Sequence, residues 1–416
     1  MAETVVVLSE LLLVLAISIA VRVFASRVGI SYIVGLVLVG FAVAVLGIQL
    51  EIPLSPDLIM VVFLPTVLFQ GATEIEPGHF WDNLPFVLVI TVFGLPVAIA
   101  FIGWVGSHLL GFSLLVSLLF ATIVYPVDPV SVIRIFREVD APPRLAALVE
   151  SESHLGDGFV IVLYTTIVAV LLRTDHGSVD LGTLWSLSDA LAVAWDIIFV
   201  SIGGLVFGIV SGFAVYLVLR AEEERMVDLL LTIFLPYGSY LLADQLLGVS
   251  GVLATVAAGL VIGSYGKRDA IHPDNIDYLE NMWDAAAFLI STYLFLLIGM
   301  QVSVAELLRH LDLVVLTVVL VLVTRATVVY TLVGALNRTS SESVARNYQH
   351  IMVWSGLHTV VPVALVLSLP SSIPFRDTLQ AMVLGVAVLS IVFQGSLLPY
   401  ILRAVIPKGP RQTTNP

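Results

Sequence analysis

Long apolar blocks separated by short polar loops dominate this chain and set its architecture. About 13 blocks, each near the 20 residues an α-helix needs to cross a bilayer, fall at 4–24, 30–49, 58–73, 84–106, 113–138, 144–172, 190–219, 226–247, 250–265, 279–302, 312–336, 347–369 and 377–404. The pattern predicts an all-α polytopic membrane protein embedded in the lipid bilayer. The block from Val5 to Phe24 is full length and has no small-residue cleavage site, so it is expected to stay as the first helix.

Two blocks are interrupted. The fifth contains Tyr125-Pro-Val-Asp-Pro129, and the twelfth contains Ser355-Gly-Leu-His-Thr359 followed by Pro362. Proline breaks a helix by removing a donor and clashing with the preceding turn. The breaks lie about 230 residues apart, one in each half of the chain, and such a pair points to a transporter built from inverted repeats. No repeat is visible in the residues themselves, so the symmetry rests on the breaks alone.

Composition agrees. Charged residues make up 12% of the chain, against about 25% in soluble domains, and mean hydropathy is +1.06, which sets aside a soluble enzyme. Basic residues then choose an orientation. With the N-terminus outside, the inner side carries Arg22, Arg27, Arg134, Arg137, Arg144, Arg220, Arg225, Lys267, Arg268, Arg338, Arg346, Arg403, Lys408 and Arg411, and the outer side only Arg173, Arg309 and Arg376. A cell-membrane protein with a cytoplasmic C-terminus is expected. Lys and Arg are scattered, with no patch suited to nucleic acid. No cysteine is present, which excludes thiolate sites and disulfides. The net charge of −13 sits in loops and helix ends and fits either ordinary loop acidity or a high-salt habitat. The stretch after Arg403 is short, and no soluble regulatory domain is expected.

The charges left inside the blocks carry the candidate chemistry. Asp128 and Asp157 are carboxylates at bilayer depth, where a charge is costly and marks an ion path, a proton relay or an intramembrane active site. Ser153 lies one helical turn before Asp157 on the same face, and Glu150 falls nearby, whereas Glu152 turns away from it. A carboxylate beside a hydroxyl suits a small hard cation, and removal from water lets the same carboxylate hold a proton instead. Asp128, between Pro126 and Pro129, either balances exposed helix ends or contacts the ion. Arg325 is mid-block and needs a partner, Glu150 or Glu152. His358 at the second break either titrates or stays neutral on broken backbone, and His154 is open to the same two readings. Gln70 is expected to bridge helices.

Five motifs occur in order: Phe63-Leu-Pro with Leu68-Phe-Gln-Gly, Asp128-Pro-Val, Glu152-Ser-His-Leu-Gly-Asp-Gly, Thr324-Arg-Ala, and Trp354-Ser-Gly-Leu-His with Leu367-Ser-Leu-Pro. Together they resemble the NhaP-type sodium/proton antiporters and the eukaryotic sodium/hydrogen exchangers, from about the second block to the twelfth. The resemblance implies 13 helices with inverted repeats and two crossing, unwound helices. It also implies a homodimer and an elevator-like movement of a core domain. We assign the core to approximately 58–172 and 279–369, and the dimerisation helices to approximately 4–49, 190–265 and 377–404. By the same resemblance Asp157 is the cation and proton carboxylate, Ser153 and Glu152 its polar neighbours, Asp128 the aspartate of the crossing, and Arg325 the basic residue of a partner helix.

The departures from the family pattern are four. Gly156 stands where an Asn is usual, removing a side-chain amide. Val127 replaces a Thr, leaving only its backbone carbonyl as a ligand. Gln70 replaces a Glu and His358 an Arg, an exchange of charges economically read as a neutral Gln–His pair. The expected activity is antiport of a monovalent cation, Na+ by resemblance and Li+ compatible, against H+. A single carboxylate after Gly156 implies an electroneutral one-for-one exchange with no cofactor. The alternative on the same fold is K+/H+ antiport. A distant one is an intramembrane aspartyl protease, which also uses two carboxylates, although His154 stands where its motif requires Gly.

Overall fold

Apolar blocks this long have one stable state inside a bilayer, because every backbone N–H and C=O must be satisfied within the segment. The computed structural model describes residues 2–28, 30–47, 55–173, 187–222, 224–340 and 342–405, and all its regular elements are helical. Lys408 and Arg411 of the charge count lie outside the described residues. In chain order the helices are α1 (Ala2–Val28), α2 (Tyr32–Val45), α3 (Leu58–Glu74), α4 (Pro77–Leu109), α5 (Leu114–Val124), α6 (Pro129–Glu138), α7 (Pro143–Arg173) and α8 (Leu187–Ala221). They continue with α9 (Arg225–Leu247), α10 (Gly251–Val261), α11 (Pro273–Met300), α12 (Val304–Arg309), α13 (Leu311–Leu336), α14 (Arg346–Trp354), α15 (Val360–Leu367) and α16 (Arg376–Val405). Among the described residues, eight helical stretches are long and apolar enough to span a membrane, and Tyr32–Val45 and Leu58–Glu74 are shorter apolar helices.

Lipid tails are as apolar as leucine, so helices in a membrane associate by close packing of small residues. The α8–α10 contact follows this rule: Gly204, Gly208 and Gly212 recur every four residues on α8 and lie against Ser250, the N-cap of α10, and Ala254 and Ala258 within it. Gly40 of α2 and Gly299 of α11 meet the opposite backbone in the same way, at Leu296 and Val37. Packing also groups α3 with α10 and α11, whereas α16 lies against α13, α14 and α15. The α3–α10 contact and the contacts of α16 each join segments assigned above to different domains.

The two predicted breaks meet. Helix α5 stops at Val124 and α6 starts at Pro129; α14 stops at Trp354 and α15 starts at Val360. The non-helical segments cross and bond each other: Asp128 N donates to Leu357 O at 2.6 Å, and His358 Nδ1 lies 2.8 Å from Pro126 O. Backbone groups released by the prolines are thus paired across the crossing. A large apolar cluster that includes Leu119, Phe120, Val252, Val361 and Leu365 encloses this centre.

Candidate functional site

Asp128 is the N-cap of α6, with Pro129 at the first helical position, where its missing N–H costs nothing. Its Oδ1 accepts from Val130 N at 3.1 Å. Its Oδ2 accepts from Ser131 N at 3.3 Å, from Ser131 Oγ at 2.5 Å and from Thr359 Oγ1 at 2.5 Å. The carboxylate is fully buried and holds both halves of the crossing together.

Asp157 is the opposite case. It is 1% exposed, and neither carboxylate oxygen has a hydrogen-bond partner among the described residues. A buried charge with nothing to cancel it is costly, so this carboxyl requires a proton or a cation. It lines a cavity of about 20 Å³ together with Asp128, Pro129, Val130, Val360 and Val361 on one side. Phe63, Leu64, Val67 and Leu68 of α3 and Ile290, Ser291, Leu294 and Phe295 of α11 form the other side. That volume is enough for about one water molecule or a small ion.

Ser153, one turn away, lines a different cavity of similar size behind the crossing, with Thr91, Tyr125, Val127, Glu152, Gly156 and Arg325. The hydroxyl oxygen of Ser153 has no hydrogen-bond partner there among the described residues. A side chain added at Gly156 would meet only Leu95, at 3.9 Å, so the glycine leaves space. The structure therefore does not gather all the expected site residues at one point. Asp157 and Asp128 share the front cavity, while Ser153, Val127, Glu152, Gly156 and Arg325 surround the rear one.

Of the two acids offered to Arg325, Glu152 takes it. Nη1 donates to Oε1 at 2.9 Å and Nη2 to Oε2 at 3.2 Å, a bidentate pair, while Nε donates to Met352 O at 2.8 Å. Gly356 makes room, since a Cβ there would come within 2.6 Å of Arg325 Cδ. Glu150 points elsewhere, into a cleft of about 510 Å³ shared with Gln70, Glu74, Arg137, His154 and Asp284. The expected Gln70–His358 pair is not formed. Gln70 Nε2 donates to Glu74 Oε1 at 2.7 Å and to Asp284 Oδ1 at 2.9 Å, joining α3 to α11, while His358 sits on the crossing backbone. Arg137 pairs with Glu74 and lies 3.8 Å from Asp284.

Sequence reasoning did not single out Thr359 and Ser131, which bond Asp128, or Glu74, Asp284 and Ser291, which line the approach to it. An acid within the apolar block 279–302 was a signal for Asp284. Thr359 lies inside the second break. Ser131 and Ser291 carried no distinctive signal.

The transmembrane sodium/hydrogen exchanger family matches residues 12–404. The chain belongs to the sodium/hydrogen exchanger family. It is 31% identical to the low-affinity Na+/H+ antiporter NhaS1 of Synechocystis sp. over 96% of this chain and 75% of that protein. It is also 31% identical to the Na+/H+ antiporter ApNhaP of Aphanothece halophytica over 93% of this chain and 73% of that one. In fold it matches the sodium proton antiporter MjNhaP1 of Methanocaldococcus jannaschii with a TM-score of 0.74, at 20% identity, covering 97% of this chain and 99% of the other. Members of this family are transporters, not enzymes, which removes the protease alternative. The NhaP-type fold and the multi-pass membrane architecture stand as expected.

Proposed function

We propose that this cation/proton antiporter exchanges one Na+ for one H+ by alternating access, with cation and proton competing for Asp157. The observation that carries this is the buried carboxyl of Asp157, whose oxygens accept no hydrogen bond from the described residues, in a cavity the size of a small ion. Asp128 is committed to capping α6 and bonding Thr359, so its charge is largely accounted for by the fold, although it faces the same cavity. One uncompensated carboxylate supports a one-for-one, electroneutral cycle. Na+ is favoured over Li+ and K+ by family membership. Val127 contributes no side-chain oxygen, and Glu152 acts through its pair with Arg325 rather than as a ligand.

The Asp157 cavity lies between two packed groups of helices. We infer that α4–α7 with α13–α16 form the moving unit, and α1–α3 with α8–α11 the scaffold. This reassigns 58–74 and 279–302 to the scaffold and 377–404 to the moving unit, because α3 packs on α10, α11 on α2, and α16 on α13–α15. The scaffold provides the surface for a homodimer. With the N-terminus outside the cell membrane, the cleft with Glu74, Arg137 and Asp284 opens to the cytoplasm, giving an inward-facing state.

Reconstituted protein in liposomes with a pH dye tests this. Na+, and to a lesser degree Li+, should dissipate a pH gradient at a rate unchanged by a potassium–valinomycin potential. Strong acceleration or arrest by the potential overturns the one-for-one stoichiometry, and a response to K+ exceeding that to Na+ favours the K+/H+ alternative.

A further inference from the structure

Asp157 does not line the large cleft. It lies behind Val67, Pro129, Val130 and Ser291, which line both the cleft and the small front cavity. Two other ionisable groups of α7 do reach the cleft, Glu150 and His154. The spacing 150, 154, 157 follows successive turns of a helix, so the three residues lie along one face. His154 is one turn from Asp157, a separation of about 5–6 Å between Cβ atoms, short enough for a single water to bridge the side chains.

Among the described residues no hydrogen bond holds His154. It is 1% exposed, yet both ring nitrogens lack a hydrogen bond, and Nε2 lies 3.8 Å from Glu150 Oε1. A buried imidazole in that condition is costly unless water or a proton uses it. The facing helix is shaped to accept the pair: a Cβ on Gly71 of α3 would come within 2.9 Å of His154 Cε1 and 3.0 Å of Glu150 Oε1. The other charged groups around this cleft are Arg22 of α1, Glu74 of α3, Arg134 and Arg137 of α6, and Asp284 of α11. Of these, Glu74, Arg137 and Asp284 bond or face one another near Gln70.

We propose that Glu150 and His154 are the proton port of Asp157, passing protons between cleft water and the buried carboxyl. The cation takes the route past Pro129 and Ser291 instead. This rests on the reading of Asp157 as the exchange carboxylate. In loading, one ring nitrogen of neutral His154 takes a proton from Glu150 or from cleft water. The imidazolium then releases the proton on its other nitrogen to the Asp157 carboxylate, through one water. The carboxyl becomes neutral, His154 returns to the neutral state as its other tautomer, and exchange with cleft water resets it. One proton moves and none is created. Unloading runs in reverse. Both groups are proton-relay residues and hold no cation.

Two transport modes of the full-length protein in liposomes separate this from a structural role. Na+/H+ exchange needs the proton port, whereas exchange of isotopic Na+ for Na+ at equal pH on both sides does not. His154→Ala and His154→Gln should slow Na+/H+ exchange by about a hundredfold, the low end of what positioned proton transfer contributes, and leave Na+/Na+ exchange near the wild-type rate. Glu150→Gln should do the same more weakly. Na+/H+ exchange at the wild-type rate in both His154 variants overturns the proposal, and so does an equal loss of both modes. Asp157→Asn in the same assay tells the two readings apart. If that variant still exchanges Na+ for H+, the underlying reading fails. If it is inactive while the His154 variants run at full rate, only the proton port fails.

Discussion

Replacing Glu152 by Gln tests the Arg325 pair and separates a structural role for this acid from a binding one. Arg325 is among the largest fully buried side chains, and Glu152 is 6% exposed. The substitution leaves the bond from Nε to Met352 O but removes the charge that faces Nη1 and Nη2 at 2.9 and 3.2 Å. Breaking a buried pair on one side costs roughly 3–5 kcal/mol, because the remaining charge is stranded. Scaling the usual unfolding entropy per residue to a chain of 416 residues gives a fall in Tm of roughly 3–6 °C. Thermal-shift measurement in detergent reads it directly. The apparent affinity for Na+ in liposomes should stay within about twofold of wild type, since Glu152 faces Arg325 rather than the front cavity. The double variant Glu152→Leu with Arg325→Met removes both charges and should recover most of the lost stability. The reasoning is refuted if Glu152→Gln melts with the wild type, or if the double variant is no more stable than the single one. It is also refuted if Na+ affinity collapses while stability holds.

Three further outcomes follow from the same geometry. Asp128→Asn keeps a capping side chain and should melt near wild type, whereas Asp128→Ala loses the cap, about 0.5–2 kcal/mol, and strands Ser131 and Thr359, about 1–3 kcal/mol more; thermal shift of both variants checks the order. Competition at a single carboxyl requires the apparent KM for Na+ to rise as pH falls, approaching about tenfold per pH unit on the acid side; dye dequenching titrated with Na+ at several pH values checks the slope, and a flat KM contradicts it. Gly356→Ala places a Cβ 2.6 Å from Arg325 Cδ and 2.8 Å from Nε. The guanidinium must shift, at a cost of about 1–3 kcal/mol, visible as a lower Tm.

Much of the fold was legible because membrane helices and their breaks are written locally. Pro126, Pro129, Gly356 and Pro362 mark the two discontinuities without reference to anything distant. That the two broken segments bond each other, Asp128 to Leu357 and Pro126 to His358, is a tertiary fact that each local signal leaves open. Helix phase separated Glu150 from Glu152 by about 200°, so they had to face different neighbours. Choosing Glu152 for Arg325 needed the position of α13. The Gln70–His358 pairing failed for the same reason: balanced charge says nothing about distance, and each residue found nearer partners. The grouping of helices is not written in the spans either: α3 packs on α10, far along the chain, while α16 packs on its near neighbour α15 and on α13. The divided site was hidden as well. Ser153 and Asp157 share a helix face by count, yet the cavities they line are bounded by different parts of the crossing, Tyr125 to Val127 for the one and Asp128 to Val130 for the other.

The most direct test is Asp157→Asn in liposomes, measuring equilibrium binding of isotopic Na+ and Na+/H+ exchange on the same preparation, with thermal shift to confirm folding. The amide keeps the shape but cannot take a proton or supply the charge. The account predicts a folded protein that has lost both Na+ binding and exchange. A folded variant that still exchanges at the wild-type rate would contradict it.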